Sequence, residues 1–535
     1  MNRAIISIAV FILCFHTYGF GNPFAWADTI GGKGLSRGNA MVVDKNNDLL
    51  VCGQMDGDFN PGNVKITGKN NFLIKYSSAG SILWAKALPG LVCKSISADR
   101  NGNPCVAGYF SDTVQIGKFT LASNGLNDFF VAKFDSLGNI LWANSGGGDG
   151  NDMALAVTCD VEGNTNITGS FESFMNFNSY TSLLSLGKGD MFVAQYDTAG
   201  HFFWAANGGG NGADAGTAIG SDLYGDVFVT GYFNASATFH NNHVKSTGGK
   251  NMYIIKYSPL GYQLSIQTIN CGGSVVPNAI GLDGSGNVYI CGTFNGTAIF
   301  DDRSLASKGD DGFVVAYDNA LNIKWLNLIG GPGNDAALGI AADWTSNIFV
   351  TGVFTGSADF SGSSLTSQGL ADIFIVKYDA AGRVLWKQQA GGAGADSSFS
   401  ICVDRGDIPS IMGTINNKAD FGEFILNADD SGSIFIAQMK TSPTGINIQN
   451  NNNAALFEIY PNPSWDIFNI KETGLINEPV MIKLTDAAGK IILVKNQIPG
   501  MNKQIDLQYY SDGIYFLTIF TANGCYTEKL IKSSY

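Results

Sequence analysis

Histidine is scarce in this sequence, with 4 residues in 535. One of them, His16, falls in an N-terminal apolar leader, so little imidazole remains for acid–base or zinc chemistry. Charge is scarce as well: 14% of residues are charged, the net charge is -13 and the pI is about 4.7. Such a chain offers no basic surface to neutralise phosphates, which argues against nucleic acid as a partner. Neither an HExxH zinc motif nor a phosphate-binding loop is spelled anywhere. Beyond the leader, no apolar run approaches the roughly 20 residues a membrane helix needs, so the mature chain is expected to lack a transmembrane segment. Helical periodicity is missing too. What is abundant is apolar residue (45%), aromatic residue (12%) and glycine (68 residues), the composition of a large core folded with many turns.

The leader has Arg3, then the apolar run Ala4–Phe15, then small residues at Gly19 and Gly21, the layout of a secretory signal peptide. Cleavage is expected after Gly21, giving a signal over residues 1–21. A competing site after Ala27 would remove Trp26, which the repeats need. Phe11–Cys14 resembles a lipoprotein box, but Leu13 stands where a small residue belongs. With Cys14 in the signal, eight cysteines remain. Most, such as Cys52, Cys291 and Cys402, sit in strand-like apolar runs and read as small core residues. Export permits disulfides, and Cys271 and Cys291 are candidates to meet at one end of a repeat.

The stretch GGPGNDAAL at 330–338 looks like one turn of a calcium-binding roll, whose signature recurs every nine residues. Here GGxGxD recurs from Gly147, Gly209, Gly330 and Gly391, so its aspartates, Asp152, Asp214, Asp335 and Asp396, are 62, 121 and 61 residues apart. A spacing near 61 belongs to a loop in a larger unit. An aspartate followed nine residues on by glycine marks that unit seven times, from Asp44/Gly53 through Asp99, Asp160, Asp222, Asp283 and Asp343 to Asp404/Gly413. Each copy reads as a hairpin, a third strand such as Asp372–Asp379, and a fourth strand carrying tryptophan. The tryptophans are Trp26, Trp84, Trp142, Trp204, Trp325 and Trp386, with Ser265 at the remaining position. Four antiparallel strands repeated seven times predict an all-β fold, a seven-bladed β-propeller. The seventh unit stops after its third strand, and the chain opens with an orphan fourth strand, Phe24–Ile30. That strand is expected to complete the last blade and close the ring.

The pattern Ala-x-x-Ile-Ala-x-Asp-x-x-Gly-Asn-Val-Tyr-Val-Thr-Gly, then Phe-x-Gly-x-Ala-x-Phe, then Leu-x-Ser-x-Gly-x-x-Asp-x-Phe-Val-x-Lys-Tyr-Asp resembles the bacterial SBBP propeller repeat over residues 24–440. Unit 6 (Trp325–Leu385) matches most fully. Unit 2 lacks the double glycine, and unit 7 puts Pro409 where a strand residue is expected. The resemblance implies architecture and leaves activity open.

After a polar, asparagine-rich linker over 441–455, the repeat disappears. Phe457–Pro463, Val480–Leu493, Lys503–Leu507, Ser511–Phe520 and Glu528–Lys532 alternate like the strands of a small Ig-like sandwich. In that order they resemble the C-terminal type A sorting domain of the type IX secretion system of Bacteroidota, over 456–535. The resemblance implies recognition by the type IX outer-membrane translocon and a secreted, extracellular or outer-surface location. A carbohydrate-binding or Ig-like accessory domain is the alternative.

Asp152, Asp214, Asp335 and Asp396 precede the innermost strands, at the expected mouth of a central channel. Three roles compete for them: oxygen ligands for a cation, calcium being the candidate, acceptors for sugar hydroxyls, or caps on the amides of their own glycine loops. Units 1, 2 and 5 carry Ser36, Leu91 and Val275 instead, which favours caps. The tryptophans read as packing between blades rather than sugar platforms, and His240 and His243 as a solvated loop without a third zinc ligand. A non-catalytic module binding glycans or surface proteins is expected. The alternative is a polysaccharide-degrading enzyme using carboxylates of the propeller face.

Overall fold

The computed structural model describes residues 23–31, 36–59, 66, 70–428, 432–440, 457–462, 464–472, 480–486, 491–497, 503–521 and 524–533. The expected signal peptide over 1–21 and the expected linker over 441–455 lie outside the described residues. These residues form β-strands without a helix among them, in two compact units, one of repeats and one containing the C-terminal segment.

Unit 6 shows how the repeat folds. Ala336–Ala342, Ile348–Phe354, Asp372–Tyr378 and Val384–Gly392 pair in chain order as an antiparallel sheet. Its first turn is set by Asp343, whose Oδ1 accepts the amides of Thr345 at 2.8 Å and Asn347 at 2.9 Å. The residue three after this aspartate takes the left-handed conformation the turn requires, as Gly163 does at φ 88° and Ser346 at φ 60°. The second and third strands are covered on both faces, hence their nearly continuous apolar sequence. Lys377, in the third strand, returns to Asp343 at 3.7 Å; in unit 1, Lys75 meets Asp44 at 2.7 Å.

The same four-strand order recurs in the other units, a propeller-like arrangement. Phe24–Ile30 lies antiparallel to Ser433–Met439, with Trp26 opposite Gln438 and Ile30 opposite Ile434. Pro409 opens its strand, where its missing amide is tolerated. The first strands of successive units are joined by polar contacts. Asn39 Nδ2 donates to the Cys93 carbonyl at 2.6 Å, the Val157 amide to Ser95 Oγ at 3.2 Å, and Asn278 Nδ2 to the Ala337 carbonyl at 2.9 Å. The Met41 amide donates to Ser400 Oγ of the seventh unit at 3.1 Å. These strands line a cavity of about 240 Å3, with Lys94, Leu155, Thr217 and Phe399 in its wall.

The connection of about twenty residues between the second and third strands of a unit holds a hairpin of its own, such as Ser236–Phe239 with Asn242–Lys245. Its inner strand extends the sheet of the preceding unit: Phe239 opposes Gly208, and Ala237 opposes Gly210. Ala298 opposes Cys271 and Ala419 opposes Gly392 in the same way. The alternation Ala-x-Phe explains it, since Ala237 and Phe239 turn inward to the core and Thr238 does not.

The C-terminal unit has two sheets. One contains Phe457–Tyr460, Ile467–Glu472 and Lys503–Asp506; the other contains Ile491–Gln497, Val480–Asp486, Gly513–Thr521 and Gly524–Lys532. Phe468, Ile470 and Ile505 from the first share one core with Ile482, Leu484 and Leu517 from the second. Ile467–Glu472 is a strand absent from the sequence expectation.

Candidate functional site

Three of the four GGxGxD aspartates share one geometry, and Asp335 keeps half of it, its Oδ2 being buried without a hydrogen-bond partner among the described residues. Asp152 Oδ2 accepts the amide of Gly148, in its own loop, at 2.7 Å, and Oδ1 accepts the amide of Glu172, just past the second strand, at 3.1 Å. Asp214 accepts Gly210 and Asn234, both at 2.8 Å. Asp396 accepts Gly392 and Asn416, both at 2.8 Å, and Asp335 accepts Thr355 at 3.0 Å. Each carboxylate therefore clips the start of its unit's first strand to the end of the second. The aspartate's own amide points the other way, to the preceding unit: Asp152 to the Asn127 carbonyl at 2.7 Å and Asp396 to that of Ala371 at 2.9 Å. All four side chains are buried. Among the described residues, no three His, Cys, Asp or Glu side chains group closely enough to hold a metal ion, so these four are not brought together.

A second set of carboxylates escaped the sequence expectation. Asp128, Asp190, Asp311 and Asp372 open third strands, are buried, and lie against the first glycine of the next unit's GGxGxD loop. Their signal was the aspartate before Phe-Val in the third-strand motif, which had no role assigned. Burial pushes Asp152 up to about 7 despite its two amide donors, with Asp128 and Glu172 adding to the rise. Burial likewise raises Asp214, Asp335 and Asp396 to about 6, each reinforced by its neighbour Asp190, Asp311 or Asp372. The chemistry is that of carboxyl groups which readily hold a proton inside the seam between units.

Five of the six fourth-strand tryptophans lie in those seams, whereas Trp386 packs on Phe349 of its own unit, centroids 6.1 Å apart, with no partner for its indole N–H among the described residues. Trp142 stacks on Tyr196 of the next unit, centroids 6.2 Å apart, and donates to the Thr198 carbonyl at 3.1 Å. Trp26, Trp84, Trp204 and Trp325 donate to the corresponding turns at Ser78, Ser136, Pro259 and Ala380. His240 and His243 belong to a connecting hairpin, where His243 Nδ1 meets Thr238 Oγ1 at 2.9 Å. A further motif was missed: Gly34–Gly38 spells GxSxG. Its Ser36 is buried and begins a strand paired with Met55, whereas a nucleophile elbow is an exposed strand-to-helix turn. Cys271 donates to the Asn295 carbonyl at 3.1 Å, and Cys291 is a free thiol, so these two do not pair.

Residues 458–533 match the family model of the secretion system C-terminal sorting domain. The C-terminal unit is a sorting domain of the type IX secretion system, and the protein is secreted or held at the outer cell surface. Among the described residues no helix is long and apolar enough to cross a membrane. An uncharacterized WD repeat-containing protein of Acanthamoeba polyphaga mimivirus is 24% identical over 503 residues, covering 73% of this chain and 36% of the relative. The chain thus spans about a third of that relative's length. Among solved structures, the Dos1 propeller is similar at 8% identity and a TM-score of 0.41, covering 78% of this chain and 95% of that one. A member of the DUF4221 family from Bacteroides vulgatus is similar at 10% identity and a TM-score of 0.26, covering 78% and 99%. The propeller-like assignment rests on this chain's own sheet order rather than on these likenesses.

Proposed function

We propose that this protein is a non-catalytic binding or scaffold module, a seven-bladed SBBP-type propeller over residues 24–440 closed by its N-terminal strand. A signal peptide over 1–21, a linker over 441–455 and the sorting domain over 456–535 complete it, in a bacterium of the Bacteroidota. The complementary strand inventories at the two ends of the repeat array and the pairing of Phe24–Ile30 with Ser433–Met439 support the closed ring.

The observation that carries the non-catalytic reading is the repeated use of the buried carboxylates. Asp152, Asp214 and Asp396 each spend both oxygens on backbone amides, in the same way in three units. A glycosidase needs two carboxylates that reach substrate, with asymmetric environments. Function on a rigid scaffold of this kind rides on its variable loops, and the expected ligands are glycans or surface proteins. The test is a glycan array together with a panel of polysaccharides assayed for reducing-end release. Binding without product release is expected; release abolished by one carboxylate substitution establishes the polysaccharide-degrading enzyme instead.

A further inference from the structure

The seam between units 2 and 3 holds two thiols in contact. Cys105, in the strand Pro104–Phe110, and Cys159, the last residue of the strand Met153–Cys159, have their sulfur atoms 3.2 Å apart. A disulfide needs about 2.05 Å, so an approach of roughly 1.2 Å would join them. We propose that Cys105 and Cys159 form a disulfide in the exported protein, a covalent staple between neighbouring units.

Three observations support this beyond distance. The protein leaves the reducing cytoplasm, and disulfides persist in the compartments it enters. Cys159 is only partly buried, so an oxidant can reach it, while Cys105 lies wholly inside. The surroundings also suit thiolate chemistry. Burial alone would raise Cys105, but the Cys159 thiol donating to it, the charge of Lys133 and the Thr165 hydroxyl at 3.3 Å hold it below the ordinary thiol range. Lys133 is fixed in place by Asp99 at 3.0 Å and by the Gly163 carbonyl at 2.8 Å.

The reaction is thiol–disulfide exchange with an oxidant R–S–S–R, either a small disulfide or the disulfide of an oxidoreductase. The hydrogen bond to Cys105 and burial hold the Cys159 thiol well above the ordinary range, so Cys159 passes its proton along that bond to the Cys105 thiolate as its own sulfur attacks one oxidant sulfur; the R–S–S–R bond breaks, and the departing thiolate takes up a proton from solvent. Cys105 then attacks Cys159 Sγ, the mixed disulfide breaks, and the second departing thiolate takes up the Cys105 proton. Two electrons pass from the cysteine pair to the oxidant, giving two R–SH.

The experiment isolates the full-length protein from the outside of the cell, traps free thiols with N-ethylmaleimide during denaturation, and maps peptides without reduction. A Cys105–Cys159 cross-linked peptide, lighter by two hydrogen masses than the two thiol peptides together, is expected, with Cys52, Cys93, Cys291 and Cys402 labelled. Maleimide on both Cys105 and Cys159, even after equilibration with oxidised glutathione, overturns the proposal. Thermal unfolding is an independent check. Reductant should lower the wild-type Tm by about 2–5 °C, and should leave Cys105→Ser and Cys159→Ser unchanged. An equal response in wild type and variants overturns it as well.

Discussion

The carboxylate of Asp128 stands where a β-carbon on Gly147 would have to go. Asp190 with Gly209, Asp311 with Gly330, and Asp372 with Gly391 repeat the relationship. The first glycine of the motif is thus demanded by the side chain opposite it on the neighbouring third strand, and at Gly391, with φ 140°, by the backbone as well. Gly147→Ala should cost about 1–3 kcal/mol, as overpacking of a tight site does. Adding Asp128→Ala removes the obstacle, so denaturant titration of the double variant should show less than the sum of the two losses.

Stability should fall as pH rises from about 4 to 7. Asp152, at about 7, and Asp214, Asp335 and Asp396, at about 6, bind protons more tightly folded than unfolded. Their contribution is complete below the ordinary aspartate range near pH 4 and is lost as pH climbs through 6 to 7. Every tenfold gain in proton affinity on folding is worth roughly 1.4 kcal/mol, so four sites give a visible slope in Tm. Burial opposes ionisation of Asp99 too, but Asn103 and Lys133 overcome it and hold its carboxyl below the ordinary range. Its loss therefore belongs to pH values under about 4. Asp152→Asn should flatten the slope between about pH 4 and 7; an unchanged slope would refute the assignment.

If the GGxGxD aspartates act as separate clips, Asp152→Ala and Asp396→Ala should each cost about 0.5–2 kcal/mol, as loss of a side-chain cap does. The double variant should show the sum, because the two sites share no partner. Calorimetry with calcium and with chelator should give the same Tm. A calcium-dependent rise that disappears in Asp335→Ala is the contrary result, a shared ion.

Trp325→Phe keeps a ring against Tyr378, 5.8 Å away, and removes only the indole donor to Ala380. About 0.5–1.5 kcal/mol should be lost, the net worth of one hydrogen bond. Trp325→Ala removes the ring as well and should cost about 3–5 kcal/mol. A similar cost for both in urea unfolding would show that the ring contributes little.

Deleting residues 456–535 should leave a folded repeat array retained in the periplasm, judged by protease resistance and fractionation. Surface display of the shortened chain would show that the export address lies elsewhere.

Sequence periodicity disclosed the repeated hairpins because every unit writes the same local chemistry: Asp160 and Asp283 bond the amides two and four residues on, a signal contained within one turn. It disclosed the Phe24–Ile30 strand because a count of strands exposed a vacancy. The contact of Asp128 with Gly147 was illegible because the two face each other across the third and fourth strands of one unit, and nothing in the residue types says that the carboxylate folds over the glycine. The connecting hairpins were missed because their strands are only three or four residues long, and four of the hairpins gain further pairing from the fourth strand of the preceding unit. Cys105 and Cys159 are 54 residues apart, and only the register of adjacent first and second strands brings their sulfurs together.

Those connecting hairpins bear on how the protein behaves when many copies crowd one surface. The fourth strand is the outer edge of each sheet, and an uncovered edge is a template on which a second molecule can add its own strand. By laying Ala237 and Phe239 along Gly210 and Gly208, one hairpin occupies the far end of that edge and shortens the row of amides and carbonyls left open, and three others do the same on their own edges. A fibre built edge to edge would first have to peel off a hairpin whose phenylalanine is locked in the core, so dense display on a cell envelope need not lead to polymerisation.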